Sequence, residues 1–178
     1  MHDIQGLSVA FISVGSNIEP ERNIVAALGL LRDRTRVAGS STFYRTAPVG
    51  RPDQMPFING VWRIDTVLSP VLVRDELLRP IEGKLGRRRC ADKFAPRTID
   101  LDLVLYNDHV RKDEAVCLPH PDLVRPFVCV PVYELLDGAD DIEPGLRCRM
   151  QKLLPDRPNV RPGEPLNKLT NRLRHMLF

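Results

Sequence analysis

The sequence lacks the cysteine and histidine spacings of a zinc site or a disulfide framework. Its four cysteines include no Cys-x-x-Cys pair, and we expect them to be reduced thiols. They are Cys90, Cys117, Cys129 and Cys148. No apolar run approaches the roughly 20 residues of a membrane span, and no basic segment followed by an apolar signal-peptide core stands at the N-terminus. We therefore expect a cytoplasmic protein with no membrane partner.

A strong excess of one charge is also missing. The chain has 26 Lys and Arg against 23 Asp and Glu, a formal net charge of +3, so electrostatics gives no reason to expect a nucleic-acid partner. With 178 residues, 43% of them hydrophobic and 28% charged, and without internal repeats, the composition is that of a soluble globular protein. We expect a single domain over residues 1–178 that acts as a monomer.

The most informative segment is a strand that carries two acids on one face. From Thr98 onward, apolar and acidic side chains alternate as they do in a half-buried strand. Asp100 and Asp102 therefore point to the same side, with Cα atoms about 7 Å apart. The opposite face is predicted to carry Ile99, Leu101, Leu103 and Leu105. Two carboxylates at this spacing suit a hard cation, and oxygen-only ligands favour Mg²⁺.

The alternative for the Asp-x-Asp pair is an edge strand whose acidic face is simply solvated. Against it, the run is apolar enough for a central strand, where two unpaired acids repel each other and are costly to bury. Replacing either unpaired acid should therefore abolish function without lowering stability. Basic residues precede the acids: Lys84, Arg87, Arg88, Arg89, Lys93 and Arg97. Basic residues beside a metal-binding pair favour a polyphosphate ligand.

The predicted elements follow the order β-α-β-β-α-β. Hydrophobic periodicity and turn residues place them at residues 8–14, 20–34, 37–44, 57–68, 69–81 and 98–106. Pro80 lies inside the second helix and is expected to kink it or force a restart. A right-handed split βαβ arrangement gives an α+β fold, a ferredoxin-like antiparallel sheet with helices on one face. After a short helix near 128–136, residues 137–178 are predicted to be an irregular C-terminal extension, apart from a basic amphipathic helix at 166–177.

The acidic strand and the residues before it carry a family signature. Residues 93–104 have the pattern Lys-x-Ala-Pro-Arg-x-x-Asp-Leu-Asp-Leu-Val, which resembles the signature of the 6-hydroxymethyl-7,8-dihydropterin pyrophosphokinases of folate biosynthesis. Further stretches match in order, so the resemblance spans about residues 8–136. They are Val14-Gly15-Ser16-Asn17 with Asn23, Arg45 through Gly50 to Asn59, Glu82 through Arg87 and Arg89 to Phe94, and Leu118-Pro119-His120-Pro121 with Arg125 and Phe127.

The resemblance implies an ATP-dependent enzyme that transfers diphosphate to the hydroxymethyl oxygen of the pterin and releases AMP. It implies two Mg²⁺ ions on Asp100 and Asp102, with catalytic Arg87 and Arg97 offsetting the charge of the polyphosphate. The implied nucleotide-site residues are Glu82, Arg89, Phe94, Leu103, His120 and Arg125. The implied pterin-site residues are Thr46, Pro48, Val49, Phe57, Asn59 and Phe127. Residues 83–94 are expected to form a mobile loop that closes over both substrates.

The chain departs from the family pattern in two places. Phe94-Ala95 stands where most members have Trp-Gly, and the interval from His120 to Arg125 is one residue shorter than the commonest form. Two other hypotheses stay open. One is a metal-dependent nucleotidyl transferase or cyclase with two Asp on a ferredoxin-like sheet, and the other is a non-catalytic module that binds a small ligand or RNA. Identification of the nucleotide product distinguishes the three.

Overall fold

The computed structural model describes residues 6–88, 92, 95–113 and 115–178. Its strands are β1 (Ser8–Ser16), β2 (Arg36–Ser40), β3 (Tyr44–Thr46), β4 (Phe57–Thr66), β5 (Asp100–Tyr106), β6 (Arg111–Lys112), β7 (Cys117–Leu118) and β8 (Glu164–Pro165). Its helices are α1 (Pro20–Arg32), α2 (70–84), α3 (Pro126–Asp137), α4 (Pro144–Gln151) and α5 (Asn167–His175). A 3₁₀ turn at Pro121–Val124 precedes α3.

One antiparallel sheet organises the chain, and β6 pairs with β7 separately. The order in the sheet is β5-β1-β4-β3-β8, and β2 pairs with β4 on the same side as β3. Strand β5 therefore lies at the edge of the sheet, and the expectation that the Asp-x-Asp run forms a central strand is wrong. Strands β2 and β3 are thus two parts of one strand that is interrupted at residues 41–43. Counted as one, they complete a unit in which the first and third strands are central, as in a ferredoxin-like sheet. The α+β, ferredoxin-like fold predicted from the sequence is confirmed.

Apolar side chains cover both faces of this sheet. On the first face, α1, α2 and α5 pack on a core that includes Ile12 and Trp62. On the second face, α3 and α4 cover a smaller core that includes Phe11 and Val61. The two crossover helices α1 and α2 therefore share one face, as predicted. Helices α3 and α4, which follow the ferredoxin-like unit, cover part of the other face, and α5 returns to the first.

Helix α2 accommodates Pro80 without a break. Its backbone widens to π-helical hydrogen bonding at Val73–Leu78 and returns to an α-helix at Arg79–Lys84. Proline has no N–H for the carbonyl four residues earlier, and Arg34 Nη1 donates to that Glu76 carbonyl at 3.2 Å instead. The kink or restart expected at Pro80 is therefore replaced by a change from π-helical to α-helical hydrogen bonding within one helix.

Strand β5 contains a bulge that changes which side chains face each core. Its pairing with β1 shifts register between Leu103 and Leu105, which leaves Val104 as the extra residue. Leu103 belongs to the first core, but Val104 and Leu105 both belong to the second. The prediction that Leu105 shares a face with Ile99 is wrong, because strict alternation ends at the bulge.

The C-terminal segment is more ordered than the sequence predicts. Residues 137–178 contain α4, β8 and α5, so the prediction of an irregular extension needs correction there. Glu143 accepts hydrogen bonds from the Gly145 and Leu146 N–H groups and so caps α4. Helix α5 confirms the amphipathic helix expected at 166–177. Across the described ranges, no helix has the length and apolar character needed to cross a membrane.

Candidate active site

A cleft lies on the second face of the sheet, beside α3. Strands β1, β4 and β5, the loop after β3 and the start of α3 surround it, and its volume is about 160 Å³. Nine of the residues that the resemblance implies line this cleft. They are Thr46, Val49, Phe57, Asn59, Arg97, Asp100, Asp102, Arg125 and Phe127. The fold thus brings four separate sequence stretches to one place.

The register of three strands aligns the two sides of the cleft. Gly15 of β1 pairs with Asn59 of β4 on one side and with Asp100 of β5 on the other. Asn59 and Asp100 are therefore two strand spacings apart, about 10 Å. A Cβ atom at Gly15 would stand 2.8 Å from Asn59 Oδ1, so a larger residue at this position would displace the Asn59 side chain. Sequence analysis gave Gly15 no role of its own, because the two neighbours that require a glycine are distant in sequence.

Two arginines hold Asp100. Arg87 Nη1 donates to its Oδ1 atom and Arg97 Nη1 donates to its Oδ2 atom. Arg87 also donates to Glu82 Oε1, and this buried carboxylate accepts the Leu101 N–H at 2.9 Å. Glu82 therefore fixes both an arginine and the backbone between the two acids.

Asp102 differs from Asp100 in having no such partner. Among the residues that the structure describes, none forms a hydrogen bond or ion pair with its carboxylate. Burial, together with the negative charges of Asp100 and Glu82, raises the pKa of Asp102 to about 7. The expectation of two unpaired acids thus holds for Asp102 and is wrong for Asp100.

The acid pair offers hard oxygen ligands to a cation. Within the described ranges, no group of three or more His, Cys, Asp and Glu side chains could hold a metal ion. Mg²⁺ is commonly held by one or two carboxylates and completes its coordination with water and substrate phosphates. Asp100 and Asp102 therefore fit Mg²⁺ that binds together with a polyphosphate.

His120, Asp122 and Arg125 form a polar group near the acids. His120 Nδ1 accepts the Asp122 N–H at 3.2 Å, and burial lowers the pKa of His120. The neutral ring then keeps its proton on Nε2 and can donate from there. Arg125 Nε donates to Asp122 Oδ1 at 2.6 Å, and its guanidinium lies 5.9 Å from the centroid of the Phe127 ring. Asp122 lines the cleft and orients Arg125, a role that sequence analysis missed.

The other end of the cleft combines aromatic and amide groups. Asn59 Nδ2 donates to Thr46 Oγ1 at 2.7 Å, and both side chains are buried. Phe57 of β4 and Phe127 of α3 both line the cleft, as does the exposed Val49. Two aromatic rings and a polar pair that line one cleft suit a flat heterocycle with a polar edge.

Asn17 connects the loop after β3 to the segment before β5. Its Oδ1 atom accepts the Arg97 N–H at 2.8 Å, and its own N–H donates to the Arg97 carbonyl at 3.1 Å. Its Nδ2 atom donates to Gln54 Oε1 at 3.2 Å and to the Met55 carbonyl at 3.3 Å. The Gly-Ser-Asn motif therefore holds two parts of the cleft in place.

Other candidate residues do not line the cleft in the part of the chain that the structure describes. They are Pro48, Glu82, Arg87, Leu103 and His120. Leu103 is 6% exposed and packs in the first core, and Glu82, 3% exposed, lies behind the acids. Arg89 and Phe94 lie outside the described residues, as does part of the loop at 83–94 that the sequence predicts to close.

A ferredoxin-like sheet that presents an acid pair and arginines beside an aromatic cleft suits an enzyme that transfers phosphate groups from a nucleotide to a flat acceptor. Comparison with known proteins identifies the family within this class. Residues 11–137 match the family model of 7,8-dihydro-6-hydroxymethylpterin-pyrophosphokinase. The chain belongs to this family.

Curated relatives from three bacteria carry the name 2-amino-4-hydroxy-6-hydroxymethyldihydropteridine pyrophosphokinase. The relative from Haemophilus influenzae is 38% identical over 130 residues, which cover 71% of this chain and 80% of that protein. The relative from Bacillus subtilis is 35% identical over 156 residues, or 82% and 92% of the two chains. The relative from Pseudomonas aeruginosa is 33% identical over 163 residues, or 89% and 95%.

Proposed function

We propose that this protein transfers the terminal diphosphate of ATP to the hydroxymethyl oxygen of 6-hydroxymethyl-7,8-dihydropterin, in folate biosynthesis, and releases AMP. Its family and the names of its relatives support a pyrophosphokinase. The observation that carries the proposal is the row Asn59, Gly15 and Asp100 across three strands. This row places Asn59, which can bind the edge of a heterocycle, about 10 Å from Asp100, which can bind a metal ion.

The aromatic end of the cleft is the site that we assign to the pterin. The ring lies between Phe57 and Phe127, with its amide edge toward Thr46 and Asn59. Because Asn59 Nδ2 already donates to Thr46, its Oδ1 atom faces the pterin edge as an acceptor. Val49, in the loop after β3, lines this side of the cleft, and the assignment of Pro48 stays a prediction. A cleft of about 160 Å³ suits a compact ring system of this kind.

We assign Mg²⁺, as two ions, to Asp100 and Asp102, on the chemistry of the donor set and the open carboxylate of Asp102. Bound Mg²⁺ supplies positive charge that neutralises the phosphates and polarises the group that is transferred. Asp102 would hold a cation without losing any partner among the described residues. Asp100 would hold it through carboxylate lone pairs that Arg87 and Arg97 do not use.

The arginines act on the polyphosphate. Each guanidinium carries five N–H donors, so Arg87 and Arg97 can donate charge-assisted hydrogen bonds to phosphate oxygens in addition to those that they donate to Asp100. Arg125, oriented by Asp122, and the Nε2–H of His120 approach the same region from the segment before α3. The nucleotide-site assignments of Glu82, Arg89, Phe94 and Leu103 stay predictions.

Incubation with ATP, Mg²⁺ and the hydroxymethyl pterin tests the reaction. We expect AMP and pterin diphosphate in equal amounts, and no AMP from the Asp102→Asn protein. ADP with a pterin monophosphate would indicate a simple kinase. Cyclic AMP or free pyrophosphate would indicate a cyclase or nucleotidyl transferase, and a lack of pterin-dependent turnover would indicate a binding module.

The proposal names ATP and the pterin as the partners of this protein. A monomer in the cytoplasm, without nucleic-acid or membrane partners, stays a prediction from composition and charge.

A further inference from the structure

The interruption between β2 and β3 leaves backbone groups that β4 cannot satisfy. Pairing of β2 with β4 ends at Ser40, and pairing of β3 begins at Tyr44. Phe43 lies between them and is completely buried. Its N–H and C=O groups therefore need hydrogen-bond partners from elsewhere in the protein.

The C-terminal segment supplies those partners. Thr170 Oγ1 accepts the Phe43 N–H at 3.0 Å, and the Leu166 N–H donates to the Phe43 carbonyl at 2.8 Å. Thr170 is itself only 3% exposed. Just before α5, β8 pairs with β3 at Tyr44 and Arg45. One short stretch of the C-terminus thus holds the backbone that leads into β3.

The same helix also contacts α3. Arg174 Nη2 donates to Glu134 Oε1 at 2.6 Å, and Arg174 Nε donates to the Ser40 carbonyl at 3.1 Å. The Glu134 carboxylate in turn accepts the Thr42 N–H at 3.0 Å. Glu134 follows Phe127 by about two helical turns on α3. Helix α5 therefore contacts the segment that leads into β3 and also contacts α3, and each of these two elements has one end at the cleft.

Both connections lead to the pterin side of the cleft. β3 ends at Thr46, the hydrogen-bond partner of Asn59, and α3 begins beside Phe127. We propose that helix α5, through Thr170, positions the pterin-binding side of the cleft, so that Thr170 is a positioning residue for that substrate. This inference rests on the proposed function. It assigns a role to a segment beyond residues 11–137, the part that matches the family model.

Loss of the Thr170 contact should affect the two substrates differently. Without an acceptor for the Phe43 N–H, β3 and the loop after it would hold their binding conformation for a smaller fraction of the time. Apparent affinity for the pterin falls in proportion to that fraction. If the binding conformation is present for one fifth of the time, the KM for the pterin rises about fivefold. Asp100 and Asp102 lie on β5, away from this contact, so the KM for ATP should stay unchanged.

Three variants separate this role from general destabilisation. Thr170→Val removes the acceptor at similar volume, and Thr170→Ser retains it. Thr66→Val is the matched control, since Thr66 is also buried and its Oγ1 atom accepts the Leu68 N–H at 3.1 Å, far from the cleft along β4. We expect a roughly fivefold higher pterin KM in Thr170→Val alone, with kcat and the ATP KM unchanged. Equal KM values in all four proteins, or the same rise in Thr66→Val, would overturn the inference.

Amide hydrogen exchange of the protein without substrates tests the same contact independently of turnover. We expect faster exchange at residues 44–50 in Thr170→Val than in the unmodified protein, Thr170→Ser or Thr66→Val. Unchanged exchange there would overturn the inference even if the enzyme is active. Faster exchange in a protein that does not turn over the pterin would support the contact and would refute only the proposed function.

Discussion

At the scale of single residues, the two acids of β5 have opposite electrostatic environments although only one residue separates them. Asp100 receives hydrogen bonds from two arginines, and Asp102 is buried next to two other carboxylates. The two arginines lie against the first carboxylate, and burial beside like charges disfavours the charged form of the second. Replacing them with asparagine should therefore change stability in opposite directions.

Asp102→Asn is expected to raise the free energy of unfolding near pH 8 by about 1–4 kcal/mol and to leave it almost unchanged near pH 3. The native pKa of about 7 lies above the ordinary value of 3.8. Between these values the native state binds more protons than the unfolded state, so the stability of the unmodified protein falls as pH rises through this window. Urea denaturation of both proteins at several pH values measures the difference.

Asp100→Asn provides the comparison. Near pH 8 it should lower the free energy of unfolding by about 1–3 kcal/mol, because Arg87 and Arg97 lose an ionised partner. Lower stability of Asp102→Asn at that pH would contradict the environment described for Asp102.

At the scale of elements, a carboxylate from α2 satisfies the outer edge of β5. This strand is the last in the sheet on its side, so its outward N–H groups need partners other than a neighbouring strand. Glu82 Oε1 accepts the Leu101 N–H at 2.9 Å and also accepts from Arg87. The position of the acid pair thus depends on the end of a helix as well as on the sheet.

Two substitutions at Glu82 separate these contacts. Glu82→Gln keeps an acceptor for the Leu101 N–H and loses the ion pair with Arg87, and should cost about 1 kcal/mol of stability. Glu82→Leu loses both contacts and should cost about 3 kcal/mol. Guanidinium denaturation measures both values, and turnover should fall in the same order. Equal losses of stability would show that the edge contact contributes nothing.

At the scale of the whole molecule, a buried charge network connects the sheet to the segment after α3. Arg63 of β4 is 4% exposed, and its Nη1 atom donates to Asp141 Oδ1 at 2.7 Å. Asp65 accepts from Arg63 and from Arg36, at 3.4 Å and 2.9 Å. The hydrogen bond from Arg63 lowers the pKa of Asp141. Asp141 thus supplies part of the negative charge that a buried arginine requires.

Asp141→Asn should lower the Tm at neutral pH by about 2–4 °C, equivalent to about 1 kcal/mol after allowance for the partial exposure of Asp141. A carboxyl with a lowered native pKa stabilises the fold above its unfolded pKa, and this contribution is lost as pH falls through the native pKa. The Tm difference between the two proteins should therefore shrink as pH falls below about 5. Calorimetry measures it.

Asp140→Asn is the control for this prediction. The neighbouring Asp140 side chain is fully exposed and lies 3.8 Å from Arg147, so its removal should leave the Tm unchanged. A similar loss in both variants would indicate a general effect of charge and not of the Arg63 network.

Local patterns in the sequence determined the order of the elements and the shared face of Asp100 and Asp102. Both follow from the period of a single strand or helix, which neighbouring residues set by themselves. The family signature added the candidate residues, and nine of them line one cleft. The same local reasoning failed at Leu105, because a bulge depends on the pairing of two strands.

Only the tertiary structure decided which acid is paired, why position 15 requires glycine, and what the C-terminal segment contacts. Each depends on partners that are far apart in sequence or that meet only across the sheet. Phe43 and Thr170, for example, are 127 residues apart. The energy of such a contact depends on distance and burial in the folded chain, and no local period encodes either. Sequence therefore determined which chemical groups are present, and packing decided their charge and their partners.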